Sequence, residues 1–202
     1  NLASTLTSIT DLDALLQTAL NRIHNYFDVS AGEIFMVDED QHRLQRVLHQ
    51  GDAIPALWKQ ERFTRNQALV GQAARTGQPI VVELPHKDDP FLLSSDLGAA
   101  GIHQIACFPL SSHSEVLGVL VIATVESAPL DTMDTQLLSS IASWVGTAIE
   151  NVHLNIQGRR LAVLEERERI GMDLHDGIIQ SIYAVGLTLE HARLLLPEEP
   201  EQ

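Results

Sequence analysis

Apolar residues recur at helical spacing near the start of the chain and at strand spacing soon after it. Over residues 11–27 they return every three or four positions, which is typical of one buried helix face. Two shorter runs, at residues 31–37 and 43–49, flank acidic turn residues and predict a β-hairpin. Residues 53–65 follow no clear period and predict irregular chain or a short helix.

The middle of the chain alternates short helical and strand patterns before a long loop. Residues 67–75 predict a helix that stops at Gly77, because glycine readily adopts the left-handed conformation that ends many helices. Residues 80–83 predict a short strand. Residues 84–101 contain two prolines and a polar run, so they predict a long loop of the kind that often carries binding residues.

A second hairpin completes the predicted sheet. Residues 102–110 and 115–124 predict its two strands, joined by a turn at residues 111–114. The second strand is apolar on both faces, which places it in the centre of its sheet. We therefore expect an α+β fold, in which an antiparallel sheet carries helices on one face.

A helical pattern then runs from Asp131 to about Leu196 without an internal proline. It predicts one very long helix or two nearly collinear ones, with Gly158 and Gly171 as weak points. A domain of about 150 residues cannot cover such a helix, so its second half needs a partner, and homodimerisation is the simplest solution. The apolar residues that predict a coiled-coil or bundle seam are Val163, Ile170, Leu174, Ile178, Ile182, Val185, Leu189, Ala192 and Leu196.

Composition changes this picture mainly by exclusion. The chain has 202 residues and a net charge of −14, and an acidic surface of that size argues against a nucleic-acid partner. The single cysteine, Cys107, excludes an internal disulfide and fits a reducing, cytoplasmic setting. No apolar run reaches the roughly 20 residues needed to span a bilayer, so we expect no membrane contact by this segment, although a longer parent protein can be membrane-attached. No cluster of metal ligands supports a cyclic-nucleotide hydrolase.

One run, residues 165–181, concentrates the candidate chemistry of the chain. It begins with charges of alternating sign, ends apolar and has His175 at the change. Asp176 can accept a hydrogen bond from one imidazole N–H and leave the other ring nitrogen free as a nucleophile. Gln180 stands on the same helix face as Asp176, and its amide can orient a water molecule. These groups suit making and breaking a phosphoramidate; the alternative is a solvated helix that happens to carry one histidine.

The same run resembles a known signalling motif. Residues 166–170 (Glu-Arg-Glu-Arg-Ile) and 173–181 (Asp-Leu-His-Asp-Gly-Ile-Ile-Gln-Ser) are similar to the H-box of two-component histidine kinases of the nitrate-sensor and desaturase-regulator type. The resemblance implies that His175 is the phosphoacceptor and that Asp176 assists it as a hydrogen-bonding base. It also implies that Gln180 positions the water that dephosphorylates a partner response regulator.

In that family, dimerisation builds a four-helix bundle from two helices of each subunit. We expect the second bundle helix and the domain that binds ATP to lie in a longer parent protein, and this segment alone to be inactive as a kinase. Gly171 departs from the motif, which usually has a better helix former at that position.

The first part of the chain resembles a GAF domain, a family of small-molecule sensory modules. The matching pieces are residues 69–80, 105–110 and 117–120. We expect a GAF domain over residues 1–152, followed over residues 153–202 by a signalling helix that becomes the first helix of the dimerisation domain. The resemblance implies that a small molecule, a chromophore or a redox change in the sensor biases phosphorylation of His175.

The GAF resemblance also implies a ligand pocket between the sheet and the long loop. By period-two alternation, His103, Ile105 and Cys107 share one strand face. Some relatives bind haem through a pocket histidine, for which His103 or His86 is the candidate here, or a bilin through a cysteine. The alternatives are a satisfied histidine on a polar rim and a buried, apolar cysteine. The candidate pocket residues are Phe91, Leu92, His103, Ile105 and Cys107, with His86, Asp88 and Asp89 as a lid.

Two functions remain open at this point. The chain is either the sensory and phosphoacceptor segment of a histidine kinase, or a non-catalytic ligand-binding and dimerisation module in which His175 is never phosphorylated. A GAF-type sulfoxide reductase needs a thiol pair, which a single cysteine disfavours. His113, in the predicted turn, is expected to be solvated.

Overall fold

The computed structural model describes residues 2–38, 43–51, 54–84, 89–113 and 115–195, without the side chains of residues 2–11, 94, 95, 192, 194 and 195. The chain divides into two compact units, Asn1–Leu154 and Asn155–Gln202. His86 and Asp88 of the predicted lid, and Leu196 of the predicted seam, lie outside the described residues.

The elements follow the predicted order closely. The helices of the described residues are α1 (Leu2–Phe27), α2 (Ala68–Thr76), α3 (Ser94–Ala99) and α4 (Thr132–Leu195). The strands there are β1 (Ala31–Val37), β2 (Arg43–Gln50), β3 (Arg62–Thr64), β4 (Ile80–Glu83), β5 (Ile102–Ser112) and β6 (Glu115–Val125).

The strands form one antiparallel sheet with the order β3-β2-β1-β6-β5-β4. Strand β6 lies between β1 and β5, so the prediction that the most apolar strand is central is confirmed. Its side chains alternate between two hydrophobic clusters. Val119 and Val121 belong to the first, which we call cluster 1, and Leu120 and Ile122 belong to the second, cluster 2. Burial of both faces is what a strand without a polar side requires.

Helices therefore pack on both faces of the sheet, and the prediction of helices on one face was wrong. Cluster 1 lies under α2, α3 and the segments around Trp58 and Leu92. Cluster 2 lies under α1 and the first part of α4, which contribute Leu20 and Leu138 among others. The apolar residues on both faces of β6 already imply helices on both faces of the sheet, because each apolar strand face needs a covering layer.

The long C-terminal helix is continuous. Helix α4 runs through Gly158 and Gly171 without a break, so the two predicted weak points do not interrupt it. A Cβ atom added at either glycine would meet nothing within 4 Å. The helix stop predicted at Gly77 is confirmed, because Gly77 has φ 63° and its N–H donates to the Ala73 carbonyl oxygen.

Two elements were not predicted, and one began earlier than expected. Strand β3 is only three residues long, and α3 lies inside the predicted loop, where its sequence Ser-Ser-Asp-Leu-Gly-Ala holds few strong helix formers. Leu97 nevertheless anchors α3 in cluster 1, because it is completely buried there. Helix α1 begins at Leu2, since Leu2, Leu6 and Ile9 extend the helical spacing toward the N-terminus.

Strand β5 contains a bulge at its start. Ile102 pairs with Val125 and Gln104 pairs with Thr124, which leaves His103 as an extra residue. Ile102 and Ile105 consequently lie in the same cluster although they are three positions apart. The alternation that grouped His103 with Ile105 does not hold across this bulge.

The tip of the β5–β6 hairpin approaches α4 closely within the first unit. A Cβ atom added to Gly146 would lie 2.4 Å from the Ser111 carbonyl oxygen and 2.7 Å from the Ser111 nitrogen. Both are backbone atoms, which cannot move aside without disturbing the strand. The contact between hairpin and helix therefore requires glycine at this position.

We expect Gly146→Ala to lower the free energy of unfolding by about 1–3 kcal/mol, the usual cost of an extra methyl group in a packed contact. The matched control is Gly98→Ala in helix α3, where the new Cβ meets nothing within 4 Å. That change is expected to be neutral or to stabilise by about 0.5–1 kcal/mol through helix propensity. Urea unfolding followed by circular dichroism measures both, and equal effects of the two substitutions would contradict the close approach.

Candidate functional sites

The predicted phosphoacceptor lies on α4 in the second unit. The His175 side chain is 72% exposed and that of Asp176 75% exposed. His175 Nδ1 lies 3.5 Å from Asp176 Oδ1, at the outer limit of a hydrogen bond. Gln180 is also exposed and stands one helical turn beyond Asp176. The arrangement leaves the Nε2 side of the imidazole open to a reagent from solvent.

Almost all of the other described residues of this unit are exposed on the same helix. Arg169 Nη2 donates to Glu166 Oε1 at 2.6 Å, an ion pair of the local kind that the alternating charges predict. The large apolar side chains of the predicted seam are exposed in the single chain. Those among the described residues are Val163, Ile170, Leu174, Ile178, Ile182, Val185 and Leu189.

An apolar groove runs between α1 and α4 in the first unit. It has a volume of about 1260 Å³ and is lined mainly by aliphatic and aromatic side chains. Trp144 and Tyr26, which line it, are among the most exposed large side chains of this unit. Trp144 therefore contributes little to the core that α4 forms with the sheet.

The residues predicted for the sensor pocket are packed in cluster 1. Ile105 and Cys107 are completely buried there, and Leu92 is nearly so. Phe91 is partly buried, with its ring 5.7 Å from that of Phe63, and His103 is partly buried in the bulge of β5. Leu92, Ile105 and Cys107 are members of one packed hydrophobic cluster, and His103 is not among its members.

Cys107 is held as a protonated thiol. Its burial raises the pKa of the thiol far above the ordinary value, and the negative charges of Asp89 and Glu33 raise that pKa further. A thiol in this state is a poor nucleophile. The geometry thus favours the prediction of an apolar core cysteine over that of a chromophore attachment point.

Asp89, predicted as a lid residue, has a structural partner on each oxygen. Its Oδ2 accepts from the Leu69 backbone N–H at 2.8 Å, and its Oδ1 accepts from the Phe91 backbone N–H at 3.0 Å. The carboxylate therefore caps the start of α2 and fixes the segment that follows. Asp89 also borders a polar cleft of about 240 Å³ together with Arg65, Gln72 and other residues.

A buried acid that the sequence analysis missed lies in the same region. Glu33, in β1, is completely buried, and Oε1 accepts from three donors. These are Arg46 Nη1, His49 Nδ1 and the Leu57 backbone N–H, each at 3.0 Å. The signal was present in the sequence, because Glu33 interrupts the apolar run Ala-Gly-Glu-Ile-Phe-Met-Val at a position that alternates with core residues.

The hairpin tip carries a second polar cluster. Ser112 Oγ donates to Glu150 Oε2, and His113 Nδ1 lies 2.9 Å from the same oxygen. The hydrogen bond from Ser112, followed by that from His113, holds the pKa of the Glu150 carboxyl below its ordinary value. His113 is exposed as predicted, but it also pairs with α4.

The described residues also bear on metal binding and on membrane insertion. Among the residues that the structure describes, no group of three or more His, Cys, Asp or Glu side chains is arranged to hold a metal ion. No helix in the same part of the chain is both long and apolar enough to cross a membrane.

Two family models match the chain, one in each part of it. The model of the GAF domain matches residues 9–150, and that of the histidine kinase family matches residues 166–202. The chain is 26% identical to the sensor histidine kinase YhcY of Bacillus subtilis over 211 residues, which cover 98% of the chain and 53% of that protein. It is 26% identical to the formate hydrogenlyase transcriptional activator FhlA of Escherichia coli over 145 residues, 70% of the chain and 21% of that protein. The chain thus spans about half of the first relative and a fifth of the second.

Solved structures agree on the fold. The GAF domain region of a putative membrane protein from Geobacter sulfurreducens superimposes with a TM-score of 0.61 at 19% identity, covering 72% of this chain and 97% of that one. The GAF domain of a two-component sensor histidine kinase from Bacillus halodurans gives a TM-score of 0.58 at 17% identity, covering 71% and 96%. At these identities the likeness concerns the fold alone.

The Glu150 cluster generates a prediction about pH. Because the pKa of Glu150 is lower in the folded chain, its contacts stabilise the fold above the ordinary glutamate pKa of about 4.3. That contribution is lost as the pH falls through the lower, folded-state value. We therefore expect Glu150→Gln to reduce the melting temperature at pH 7 and to make less difference as the solution becomes acidic.

Melting temperatures of the wild type and Glu150→Gln between pH 7 and pH 3 measure this effect. Glu126→Gln, which changes an exposed carboxylate just after β6, is the control. A difference that is the same at every pH, or that appears equally with the control, would contradict the role given to Glu150.

Proposed function

The chain belongs to the GAF domain family, and on that premise we propose that it is the sensory and phosphoacceptor segment of a protein-histidine kinase. The observation that carries the proposal is His175, exposed on a helix beside Asp176 and Gln180, within residues that match the histidine kinase family model. The similarity to the sensor histidine kinase YhcY extends over both parts of the chain and supports the same function.

The exposed imidazole is suited to attack a phosphoryl group. With Nδ1–H directed at the Asp176 carboxylate, Nε2 carries the free lone pair. We propose that Nε2 attacks the γ-phosphorus of ATP, held by a catalytic domain of the parent kinase, as the bond to the ADP oxygen breaks. Asp176 stabilises the positive ring that forms and accepts its Nδ1 proton.

The phosphoryl group then leaves for a response regulator, where an aspartate carboxylate accepts it. Gln180 stands one turn beyond Asp176 and carries no charge, so it neither competes for the phosphoryl group nor repels it. Its side-chain amide can hold the water that hydrolyses the regulator's acyl phosphate. Phosphorylation and dephosphorylation thus depend on different side chains of the same helix.

A homodimer is part of the proposal. The apolar positions of α4 between residues 163 and 189 are exposed in the single chain, and a regular apolar seam on a helix needs a partner helix. We propose that this partner is a second copy of the same helix, which the match of residues 166–202 to the histidine kinase family supports.

The sensory role is proposed for the GAF domain in the first unit. A small molecule bound there would change the packing of the sheet against α4, which ends at Leu195 and carries His175. The signal is proposed to act as a bias between two states of this helix. The alternative, a binding and dimerisation module without phosphorylation, predicts no phosphoryl transfer to His175.

We expect His175→Gln to abolish phosphorylation, since glutamine has no nucleophilic ring nitrogen. The measurement is transfer of label from γ-labelled ATP to the chain in the presence of the ATP-binding domain of its parent kinase. His191→Gln removes another exposed histidine of the same helix and should leave labelling unchanged. Equal labelling of His175→Gln and wild type, or no labelling of either, would rule out the phosphoacceptor role.

Substitutions at the neighbouring positions separate the two half-reactions. We expect Asp176→Asn to slow phosphorylation of His175 by about 10²-fold or more, the usual effect of removing a general base. Gln180→Ala should leave that rate nearly unchanged but lengthen the lifetime of the phosphorylated response regulator. The two rates are measured separately, and a Gln180→Ala variant that slows phosphorylation as much as Asp176→Asn would contradict this division of roles.

A further inference from the structure

The buried acid of β1 has an oxygen without a partner. Glu33 Oε1 accepts three hydrogen bonds, whereas Oε2 is buried and accepts none from the described residues. Protein interiors rarely leave a carboxylate oxygen in this state, because its lost hydration is not replaced. The asymmetry therefore marks a position where a hydrogen-bond donor belongs.

The three donors on Oε1 come from two parts of the chain. Arg46 and His49 approach from the neighbouring strand β2, and the Leu57 N–H approaches from the segment that covers the sheet. His49 Nε2 is itself 2.7 Å from the Ile54 carbonyl oxygen, so His49 faces an acceptor at each ring nitrogen. Arg46 and Glu33 form an ion pair, in which Arg46 Nη1 lies 3.0 Å from Glu33 Oε1.

Strand pairing places Glu33 on the same face as the predicted pocket residues. Glu33 is directly opposite Val121, and Val121 is directly opposite Cys107. Ala31 and Phe35, which alternate with Glu33 along β1, lie in cluster 1 together with Val121 and Cys107. The carboxylate thus projects into the cluster where the GAF resemblance predicted a ligand.

A second unsatisfied polar group lies in the segment that covers this face. Trp58 is almost fully buried, and its Nε1–H has no acceptor among the described residues. Trp58 directly follows Leu57, whose backbone N–H donates to Glu33. An unused acceptor and an unused donor are therefore associated with one covering segment and one sheet face.

The charges of this region select the kind of ligand. Asp89 is a second buried carboxylate, and the negative charges of both Asp89 and Glu33 raise the pKa of Cys107, a member of cluster 1. The nearby Arg46 and His49 side chains both contact Glu33 Oε1, and Arg46 also pairs with Glu61. An anionic ligand would be repelled at Oε2, whereas a cationic N–H donor would form a charge-assisted hydrogen bond.

We propose that the sensor binds a small organic cation with an N–H group, such as a primary ammonium ion on an apolar body, and that Glu33 Oε2 accepts its hydrogen bond. Cluster 1 is packed closed in this structure, so the apolar body would lie against Val121 and Cys107 after the covering segment of residues 57–59 and 91–93 has moved away from the sheet. The inference rests on the proposed sensory function and names the class of molecule that the sensor takes.

The covering segment explains how such a ligand gains access. Residues 57–59 pair with residues 91–93 through the Lys59 N–H to the Phe91 carbonyl and the Leu93 N–H to the Leu57 carbonyl. This two-stranded cover is attached to the sheet at Glu33 and His49 by hydrogen bonds. A donor that binds Glu33 therefore acts on the group that holds the cover in place.

The test uses fluorescence from Trp58. The chain has two tryptophans, and Trp144→Phe removes the exposed one, so that all tryptophan fluorescence then comes from Trp58. Benzylammonium is the probe, and we expect a saturable change in Trp58 emission with a dissociation constant of roughly 1–10 mM, a range typical of small fragments. Benzyl alcohol has the same body without the charge, and benzyltrimethylammonium has the charge without an N–H. Each should bind at least tenfold more weakly.

Glu33→Gln in the same background should abolish the response, with circular dichroism reporting whether the fold is intact. Methyl resonances of the wild-type chain provide a measurement that does not depend on this variant. Benzylammonium should shift Val121 and leave its neighbour Leu120, which faces the opposite cluster, unchanged.

The proposal is overturned if benzylammonium gives no saturable response, if benzyl alcohol binds as well, or if Leu120 shifts as much as Val121. None of these measurements uses ATP or phosphoryl transfer. A negative result here leaves the phosphoacceptor function of His175 standing, and a failure to label His175 leaves the ligand site standing.

Discussion

Burial of both faces of strand β6 is the constraint on which the rest of the sensor unit depends. Its side chains alternate between two clusters and offer no polar side to water, so each face needs a covering layer. Helices α1 and α4 form one layer, and α2, α3 and the aromatic segment around Trp58 form the other. Helix α4 is one of the two helices that cover this face of the sheet, and the same helix also bears His175.

The two layers differ in polarity, and this difference separates their roles. Cluster 2 is formed by aliphatic side chains and the phenyl ring of Phe108, and it joins helix to sheet. Beside cluster 1 lie two buried carboxylates, Glu33 and Asp89, which hold backbone N–H groups of the covering segments. Replacing them by apolar residues would remove a cost of desolvation, so their presence is better explained by specificity than by stability.

Sequence patterns gave the strands, the central position of β6 and the continuous α4, because each depends on apolar spacing over many residues. The position of His103 did not follow from such spacing. A bulge between Ile102 and Gln104 breaks the alternation, and no residue type in the sequence indicates the bulge. Short elements such as β3 and α3 are held by tertiary contacts, so their own propensity is a weak guide. An apolar pattern does not identify Glu33, because the informative feature there is a charged residue at a core position.

The same helical spacing of apolar residues is buried in the first part of α4 and exposed in the second part. In the first unit Leu138, Ala142 and Ile149 are completely buried against the sheet. In the second unit the equivalent spacing leaves Leu174 and Ile178 more than half exposed. A partner helix on that seam would cover the apolar stripe, while His175 lies at the edge of the stripe and Asp176 farther round the helix circumference. In the proposed dimer His175 would therefore keep its access to solvent, which the proposed phosphoryl transfer requires.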